Sequence, residues 1–262
     1  MESQSAHRPR KRFGQNFLHD QRVIENIIAA FEADPEKDII EIGPGKGALT
    51  IPLLEKYGRL QVIEIDTDLA ELLSARCSAL GDLTVHTGDA LKLDLSTLTR
   101  TQVQVIGNLP YNISTPLIFH LLSTLADGTV MLFLLQKEVV DRICAGANDD
   151  DYGRLSVMVQ AQCRAEKLFE VPASAFNPPP KVTSAIVRME IDSSRSSSIA
   201  DLGRFELVVR QAFSQRRKTL RNSLKNLLNE AELLDLGIEP GQRAENIDVG
   251  QYVAMANYLA RA

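Results

Sequence analysis

The sequence predicts an α/β fold, in which helices cover both faces of a mainly parallel sheet, followed by a small all-helical C-terminal domain. Up to residue 192, short apolar stretches alternate with helical ones, an alternation typical of parallel sheets. Beyond the polar segment 193–198, apolar residues recur only at helical spacing. We therefore expect one domain over residues 1–192 and a second over residues 199–262.

The predicted strands are short runs of β-branched and other apolar residues. We assign the first five to Asp38–Ile42, 60–65, 83–86, 103–107 and Val130–Gln136. Helical stretches such as 68–80 lie between several of them, as crossover connections between parallel strands require. Two later apolar stretches, 165–171 and Ser184–Ile191, flank a proline-rich turn and are expected to close the sheet as an antiparallel pair.

The C-terminal part has a different pattern. Residues 193–198 (SSRSSS) are polar and predict a flexible linker. Apolar residues then follow helical spacing in three stretches: Phe205, Val208, Val209, Ala212 and Phe213; Leu220, Leu224, Leu227 and Leu228; and Val249, Val253, Ala256 and Leu259. These stretches predict the helices of the second domain.

Composition indicates a soluble globular protein, with 44% hydrophobic and 24% charged residues. No run reaches the roughly 18 apolar residues that a membrane helix needs. Cys77, Cys144 and Cys163 are odd in number and widely spaced, so neither a metal site nor a disulfide framework is expected. The reducing cytoplasm is the expected compartment.

Charge is unevenly distributed. The net charge is −5, yet cations cluster at the N-terminus and again in the C-terminal domain. The candidate nucleic-acid-binding residues among them are Arg10, Lys11, Arg12, Arg216, Arg217, Lys218 and Arg221. A local basic face binds phosphates whatever the total charge. In the second cluster Leu220, Leu224 and Leu228 repeat at intervals of four, which predicts one buried helical face with the cations, and few acids, on the outside.

A glycine-rich loop follows the first strand, with the sequence EIGPGKG at 41–47. Glycines such as Gly43 and Gly45 let the backbone turn sharply and approach a ligand closely. Glu64, at the end of the second strand, can accept both hydroxyls of a ribose, an arrangement that suits NAD as well as S-adenosylmethionine. Asp89, after the third strand, can accept from the amino group of an adenine and modestly favours S-adenosylmethionine, although a turn or helix cap is an equal alternative.

A second loop, GNLPYN at 107–112, directly follows the fourth strand. The Asn108 side-chain oxygen and the Leu109 carbonyl could accept both N–H bonds of an adenine amino group and leave its lone pair free to attack. Pro110 stiffens the loop, and Tyr111 can stack on a base. Phe176, before three prolines, could form the other side of a stacking slot, although a core phenylalanine is an equal alternative.

These motifs together resemble the ribosomal RNA adenine dimethyltransferases, and most closely their bacterial members that act on the small subunit. The resemblance extends over nearly the whole chain and includes RKRFGQNFL at 10–18, EIGPG at 41–45, NLPYNIS at 108–114, LQKEV at 135–139, YGRLSV at 152–157, FNPPPKV at 176–182 and QRRKTLRNSL at 215–224.

The resemblance implies a Rossmann-like methyltransferase sheet with a small helical domain, and S-adenosylmethionine as the cofactor. It implies cofactor contacts from Asn16, Leu18, Gly43, Glu64, Asp89 and Asn108. It also implies transfer of two methyl groups to each of two adjacent adenosines in a hairpin loop near the 3′ end of 16S RNA. The substrate would be the small ribosomal subunit or its precursor, and we expect a monomer.

Three alternatives remain. A 23S RNA adenine methyltransferase of the antibiotic-resistance type would share both loops, but the blocks at 176–182 and 215–224 favour the small-subunit enzyme. An NAD-dependent oxidoreductase would use the glycine loop and Glu64 but would give no role to residues 108–111. A non-catalytic ribosome-assembly factor would be expected to lose Glu64 or Asn108, and both are present.

Overall fold

The computed structural model describes residues 16–98, 102–215 and 217–261. In this part of the chain the strands and helices follow one another as β1 (Phe17–Leu18), α1 (Gln21–Phe31), β2 (Asp38–Ile42), α2 (Thr50–Tyr57), β3 (Arg59–Glu64), α3 (Thr67–Cys77), β4 (Asp82–Thr87), β5 (Val103–Asn108), α4 (Ser114–Thr124), β6 (Val130–Gln136), α5 (Lys137–Cys144), α6 (Arg154–Gln160), β7 (Cys163–Val171), β8 (Phe176–Asn177), β9 (Ser184–Ile191), α7 (Ser193–Ser196), α8 (Leu202–Ala212), α9 (Leu220–Ser223), α10 (Glu230–Asp235) and α11 (Val249–Arg261). No helix within these ranges is long and apolar enough to cross a membrane.

The described strands form one seven-stranded sheet in the order β4-β3-β2-β5-β6-β9-β7, and β1 pairs with β8 in a separate two-stranded sheet. The pairs β2–β3, β2–β5, β3–β4 and β5–β6 are all parallel. The predicted α/β fold is therefore confirmed, and each predicted strand of the sheet is present within two residues of its expected bounds.

The sheet brings the carboxyl ends of its central strands together. β2 and β5 run in register from Asp38 beside Val103 to Ile42 beside Gly107, so the loops that follow these strands leave the sheet side by side. Their apolar side chains are buried as nearly continuous runs, as expected for strands covered on both faces. Ligands bind at this edge of open parallel sheets.

The chain divides into two compact units, one of Met1–Lys137 with Lys167–Met189 and one of Glu138–Glu166 with Glu190–Ala262. The second of these units includes residues before 199, because α6 packs against α8 and α11. The Tyr152 hydroxyl, just before α6, donates a 2.8 Å hydrogen bond to the Ile247 carbonyl. A division of function at residues 192–199 stays a prediction.

The predicted flexible linker at 193–198 is wrong. Residues Ser193–Ser196 form α7, a single helical turn capped by Asp192, which accepts from the backbone N–H of Ser194 at 3.1 Å. Arg164 pairs with the same carboxylate at 3.1 Å. Serine side chains that bond to nearby backbone carbonyls complete the turn.

The basic C-terminal segment is helical only over α9, so the predicted continuous helical face is wrong. Leu220, Leu224 and Leu228 are nevertheless all buried, as predicted. After α9 the chain makes one further turn, in which the Leu224 carbonyl accepts from the N–H groups of Leu227 and Leu228 at 2.7 and 2.9 Å. Asn229 then caps α10 and starts a new helix.

Candidate active site

A cavity of about 330 Å³ lies at the carboxyl ends of β2, β3 and β5. A volume of this size is within the range of small-molecule sites. It is lined by residues from five segments of the first unit: 16–18, 41–49, 63–65, 88–91 and 108–113. Every predicted cofactor-binding residue, from Asn16 and Leu18 to Asp89 and Asn108, is in this lining.

The glycine loop has a backbone that other residues rarely adopt. Gly43 and Gly45 have φ angles of +70° and +56°, in the left-handed region where a side chain is strained. The Gly43 N–H donates to the Ile63 carbonyl at 3.0 Å, which ties the loop to the end of β3. A Cβ on Gly45 would lie 3.2 Å from the Phe17 ring, so the loop needs glycine there for space as well as for conformation.

Glu64 is held by the backbone on both carboxylate oxygens. Its Oε2 accepts from the Gly45 N–H at 3.1 Å, and its Oε1 accepts from the Asp66 N–H at 2.9 Å. Burial raises the pKa of this carboxyl, and the two backbone hydrogen bonds oppose that rise. Each oxygen keeps further acceptor capacity, so a fixed carboxylate faces the cavity with room for two hydroxyl donors.

Glu41 is a site residue to which the sequence analysis gave no role. Its side chain is 1% exposed, and its Oε2 accepts from the Thr50 hydroxyl at 2.6 Å. Burial raises the pKa of Glu41 from 4.5 to about 8; the Thr50 hydrogen bond opposes this rise, and the nearby Glu64 adds to it. Glu41 is therefore mostly protonated at neutral pH. Its position directly before the glycine loop was the only signal in the sequence.

Asp89 makes the turn that the sequence offered as one alternative, and its contact with an adenine stays a prediction. Its Oδ1 accepts from the Leu91 N–H at 3.0 Å, so it caps the turn that follows β4. The residue also lines the cavity and is partly exposed. Since Oδ1 makes the turn, Oδ2 is the oxygen left for a ligand.

The loop after β5 presents an oriented amide to the cavity. The Asn108 Nδ2 donates to the Asn16 carbonyl at 3.1 Å, which leaves Oδ1 as the acceptor. Leu109 is anchored by its N–H, which donates to the Leu134 carbonyl of β6 at 3.3 Å. Pro110 and Tyr111 also belong to this part of the lining, and the Tyr111 side chain is half-buried.

The N-terminal segment lies against the glycine loop. Leu18 is buried and pairs with Phe176 in the short β1–β8 ladder. Phe17 contacts a cation that the sequence analysis did not single out, because the Lys46 ammonium lies 4.7 Å from the centre of its ring. This contact joins positions 29 residues apart, so the local sequence around either residue does not predict it.

Phe176 lies in the hydrophobic core. Its side chain is 2% exposed and packs with Leu18, Ile27 and Phe31, and it is not among the residues that line the cavity. The ring is therefore not open to a base in this structure, which favours the core alternative over the stacking slot. A stacking role for Phe176 stays a prediction that requires the ring to leave the core.

Of the predicted RNA-binding residues, Arg217, Lys218 and Arg221 are exposed in the second unit. The expectation of few acids nearby is wrong for Arg221, whose guanidinium lies 3.7 Å from the Glu230 carboxylate. Both side chains of this pair are more than half exposed, so the pair contributes little to stability. Arg10, Lys11, Arg12 and Arg216 lie outside the described residues.

The cavity carries more acid than base. Among the described lining residues the carboxyl side chains are Glu41, Glu64 and Asp89, and the basic side chain is Lys46. With Glu41 protonated, two carboxylates face one ammonium. The cavity therefore favours a ligand that carries positive charge.

Known proteins share much of this sequence. The chain resembles curated proteins named ribosomal RNA small subunit methyltransferase A. That of Aromatoleum aromaticum is 53% identical over 256 residues, which are 98% of this chain and 96% of the relative. That of Pseudomonas fluorescens is 50% identical over 262 residues, which are 99% and 97% of the two chains.

Two solved structures share the architecture. A dimethyladenosine transferase from Plasmodium falciparum superposes with a TM-score of 0.80 at 27% identity, covering 94% of this chain and 98% of the other. The 23S rRNA methyltransferase ErmE superposes with a TM-score of 0.72 at 25% identity, covering 94% and 100%. The family model for ribosomal RNA adenine dimethylase matches residues 6–261. With a match over nearly its full length and relatives that are half identical, this chain belongs to the ribosomal RNA adenine dimethylase family.

Proposed function

We propose that this chain transfers methyl groups from S-adenosylmethionine to the N6 amino groups of two adjacent adenosines near the 3′ end of 16S rRNA. The substrate is the small ribosomal subunit or its precursor in the cytoplasm, and the enzyme acts as a monomer. Family membership supports the reaction class. Relatives of 50–53% identity named for the small subunit favour 16S over 23S RNA, since the 23S enzyme ErmE is only 25% identical.

The residues that line the cavity fit the proposed cofactor. Glu64, fixed by two backbone N–H groups, would accept the ribose hydroxyls, and Asp89 would accept from the adenine amino group through Oδ2. The glycine loop lets the cofactor approach the backbone. The net acidity of the cavity suits a sulfonium, which supplies an electrophilic methyl group when the cofactor is bound.

The orientation of the Asn108 amide is the observation that carries the proposed reaction. Because its Nδ2 is engaged by the Asn16 carbonyl, Oδ1 can accept one N–H of the target amine, and the Leu109 carbonyl can accept the other. Held in this way, the amine lone pair would no longer be delocalised into the ring and could accept the methyl group, whose bond to sulfur would break as the C–N bond forms. Orientation of this kind can lower a barrier by up to roughly 7–11 kcal/mol.

Tyr111 would hold the target base by stacking, which is worth roughly 1–3 kcal/mol per base. No general base is needed before attack, because the methylated ammonium loses its proton readily to water. The residues of the loop therefore bind and orient the base, and they do not have to ionise during the reaction.

The test is methyl transfer from tritium-labelled S-adenosylmethionine to purified small and large ribosomal subunits that lack the modification. We expect label in the small subunit alone, with none when Asn108 is replaced by alanine. Label in the large subunit would favour the 23S alternative, and no label in either would refute the proposed function.

A further inference from the structure

Tyr111 is held at both ends by serine hydroxyls. The Ser114 hydroxyl, at the start of α4, donates to the Tyr111 carbonyl at 3.1 Å. At the other end, the Tyr111 phenol and the Ser184 hydroxyl share a hydrogen bond of 2.7 Å. The half-buried Tyr111 is thus fixed at its backbone carbonyl and at its phenol, while the rest of its surface lines the cavity.

The fold explains why Ser184 can reach a loop 73 positions earlier in the chain. Ser184 is the first residue of β9, which lies beside β6, and β6 lies beside β5. The Lys137 N–H, directly after β6, donates to the Thr183 carbonyl at 2.9 Å and fixes the start of β9 at the end of β6. The loop that follows β5 therefore passes beside the first residue of β9.

Ser184 is itself immobilised, since its side chain is fully buried. A buried hydroxyl costs free energy unless it is hydrogen-bonded, and the Tyr111 phenol is the partner that it has here. Burial raises the pKa of Tyr111, so the phenol stays protonated at neutral pH and the hydrogen bond persists. Through Ser184, strand β9 thereby fixes the plane of the Tyr111 ring in the loop that follows β5.

We infer that Ser184 is a positioning residue of the methyl-transfer site, whose hydroxyl holds the Tyr111 ring in the plane against which the target adenine stacks. The inference rests on the proposed function, because it needs Tyr111 to contact the base. Ser184 touches neither the base nor the cofactor, so its loss should weaken productive binding of RNA and leave the affinity for S-adenosylmethionine unchanged.

The experiment is a double-mutant cycle on the full chain with small ribosomal subunits as the substrate. Ser184→Ala and Tyr111→Phe each remove one partner of the same hydrogen bond. We expect each to lower kcat/KM for the subunit by about threefold to tenfold, the value of one hydrogen bond. The double variant should lose no more than either single one, and calorimetry should give an unchanged Kd for S-adenosylmethionine in all three.

A matched control is Thr129→Val. The Thr129 hydroxyl is buried in the same unit and has no hydrogen-bond partner among the described residues, so its removal should leave kcat/KM unchanged and should not lower thermal stability. Should Ser184→Ala fail to fold, Tyr111→Phe breaks the same bond from the partly exposed partner and keeps the comparison measurable. A Tyr111→Phe variant with wild-type kcat/KM would overturn the inference.

Two further outcomes would overturn it. One is a loss from Ser184→Ala that persists in full in the Tyr111→Phe background, because Ser184 would then act through something other than the phenol. The other is a parallel loss of cofactor affinity, which would indicate general disruption of the site. Tyr111→Ala separates this inference from the proposed function. Wild-type turnover in Tyr111→Ala would refute stacking of the base on Tyr111. A lower kcat/KM in Tyr111→Ala but not in Ser184→Ala would refute only the positioning role of Ser184.

Discussion

Replacing Glu41 by glutamine should make the protein more stable at alkaline pH. The folded-state pKa of Glu41 is about 8, above the value of 4.5 that it has when exposed. The folded chain therefore keeps a proton that the unfolded chain gives up. The fold is most favoured below pH 4.5, and this contribution to stability is lost as the pH rises towards 8.

The magnitude follows from the gap between the two pKa values. One pKa unit corresponds to about 1.4 kcal/mol, so a gap from 4.5 to about 8 corresponds to at most about 5 kcal/mol at pH 9. Glutamine resembles the protonated acid in shape and charge, and its oxygen can still accept from the Thr50 hydroxyl, which lies 2.6 Å from Glu41. Glu41→Gln should thus be close to neutral at pH 5 and clearly stabilising at pH 9.

Urea unfolding of both proteins at several pH values between 5 and 9 measures this difference directly. Glu55→Gln, at an exposed glutamate of α2, is the control for the same substitution at the protein surface. A difference between Glu41→Gln and the wild type that is constant across this range would refute the argument. So would a glutamine variant that becomes less stable as the pH rises.

Three other substitutions test the site and the basic segment. Glu64→Gln replaces one acceptor of a backbone N–H by a donor and removes a ribose contact. The loss of one charge-assisted hydrogen bond, about 1.5–3 kcal/mol, should raise the Kd for S-adenosylmethionine about tenfold to a hundredfold in calorimetry. An unchanged Kd would contradict the role of Glu64 in binding the ribose. Asn108→Ala should abolish methyl transfer while circular dichroism shows a folded protein, whereas wild-type turnover would exclude the clamp on the target amine. Arg217→Ala combined with Arg221→Ala should weaken binding to small subunits without changing cofactor affinity. The slope of the logarithm of the binding constant against the logarithm of the salt concentration should fall in magnitude by about 1.4 to 1.8. Arg204→Ala, at another exposed arginine of the second unit, is the control. If the slope stays at its wild-type value, the basic segment does not contact RNA phosphates.

The sequence predicted the centre of the sheet well because β2, β5 and β6 are buried on both faces. Val130–Gln136 begins with an apolar run of six residues, and Asp38–Ile42 consists of apolar residues apart from Asp38 and Glu41. The loops that follow strands could also be assigned, since the carboxyl ends of parallel strands meet at one edge. Local pattern therefore located Glu64 and Asn108 in one cavity.

The burial of individual side chains and the contacts between residues far apart in the chain could not be predicted from local pattern. The sequence shows Glu41 next to the glycine loop, but its protonation depends on burial that only the folded sheet creates. An aromatic residue beside prolines fits a stacking slot and a core equally, and the burial of Phe176 in the hydrophobic core, which favours the second alternative, appears only in the folded structure. The Tyr111–Ser184 and Arg221–Glu230 contacts depend on how segments are brought together, which residue spacing does not encode.

The most direct test of the whole account is the identity of the product made on unmodified small subunits. After incubation with the protein and S-adenosylmethionine, the 16S RNA is cut into fragments and the modified nucleosides of each are identified by mass spectrometry. The account predicts N6,N6-dimethyladenosine at two adjacent positions of a single hairpin near the 3′ end, and none with Asn108→Ala. Methylation confined to another nucleoside, or to another part of the RNA, would contradict it.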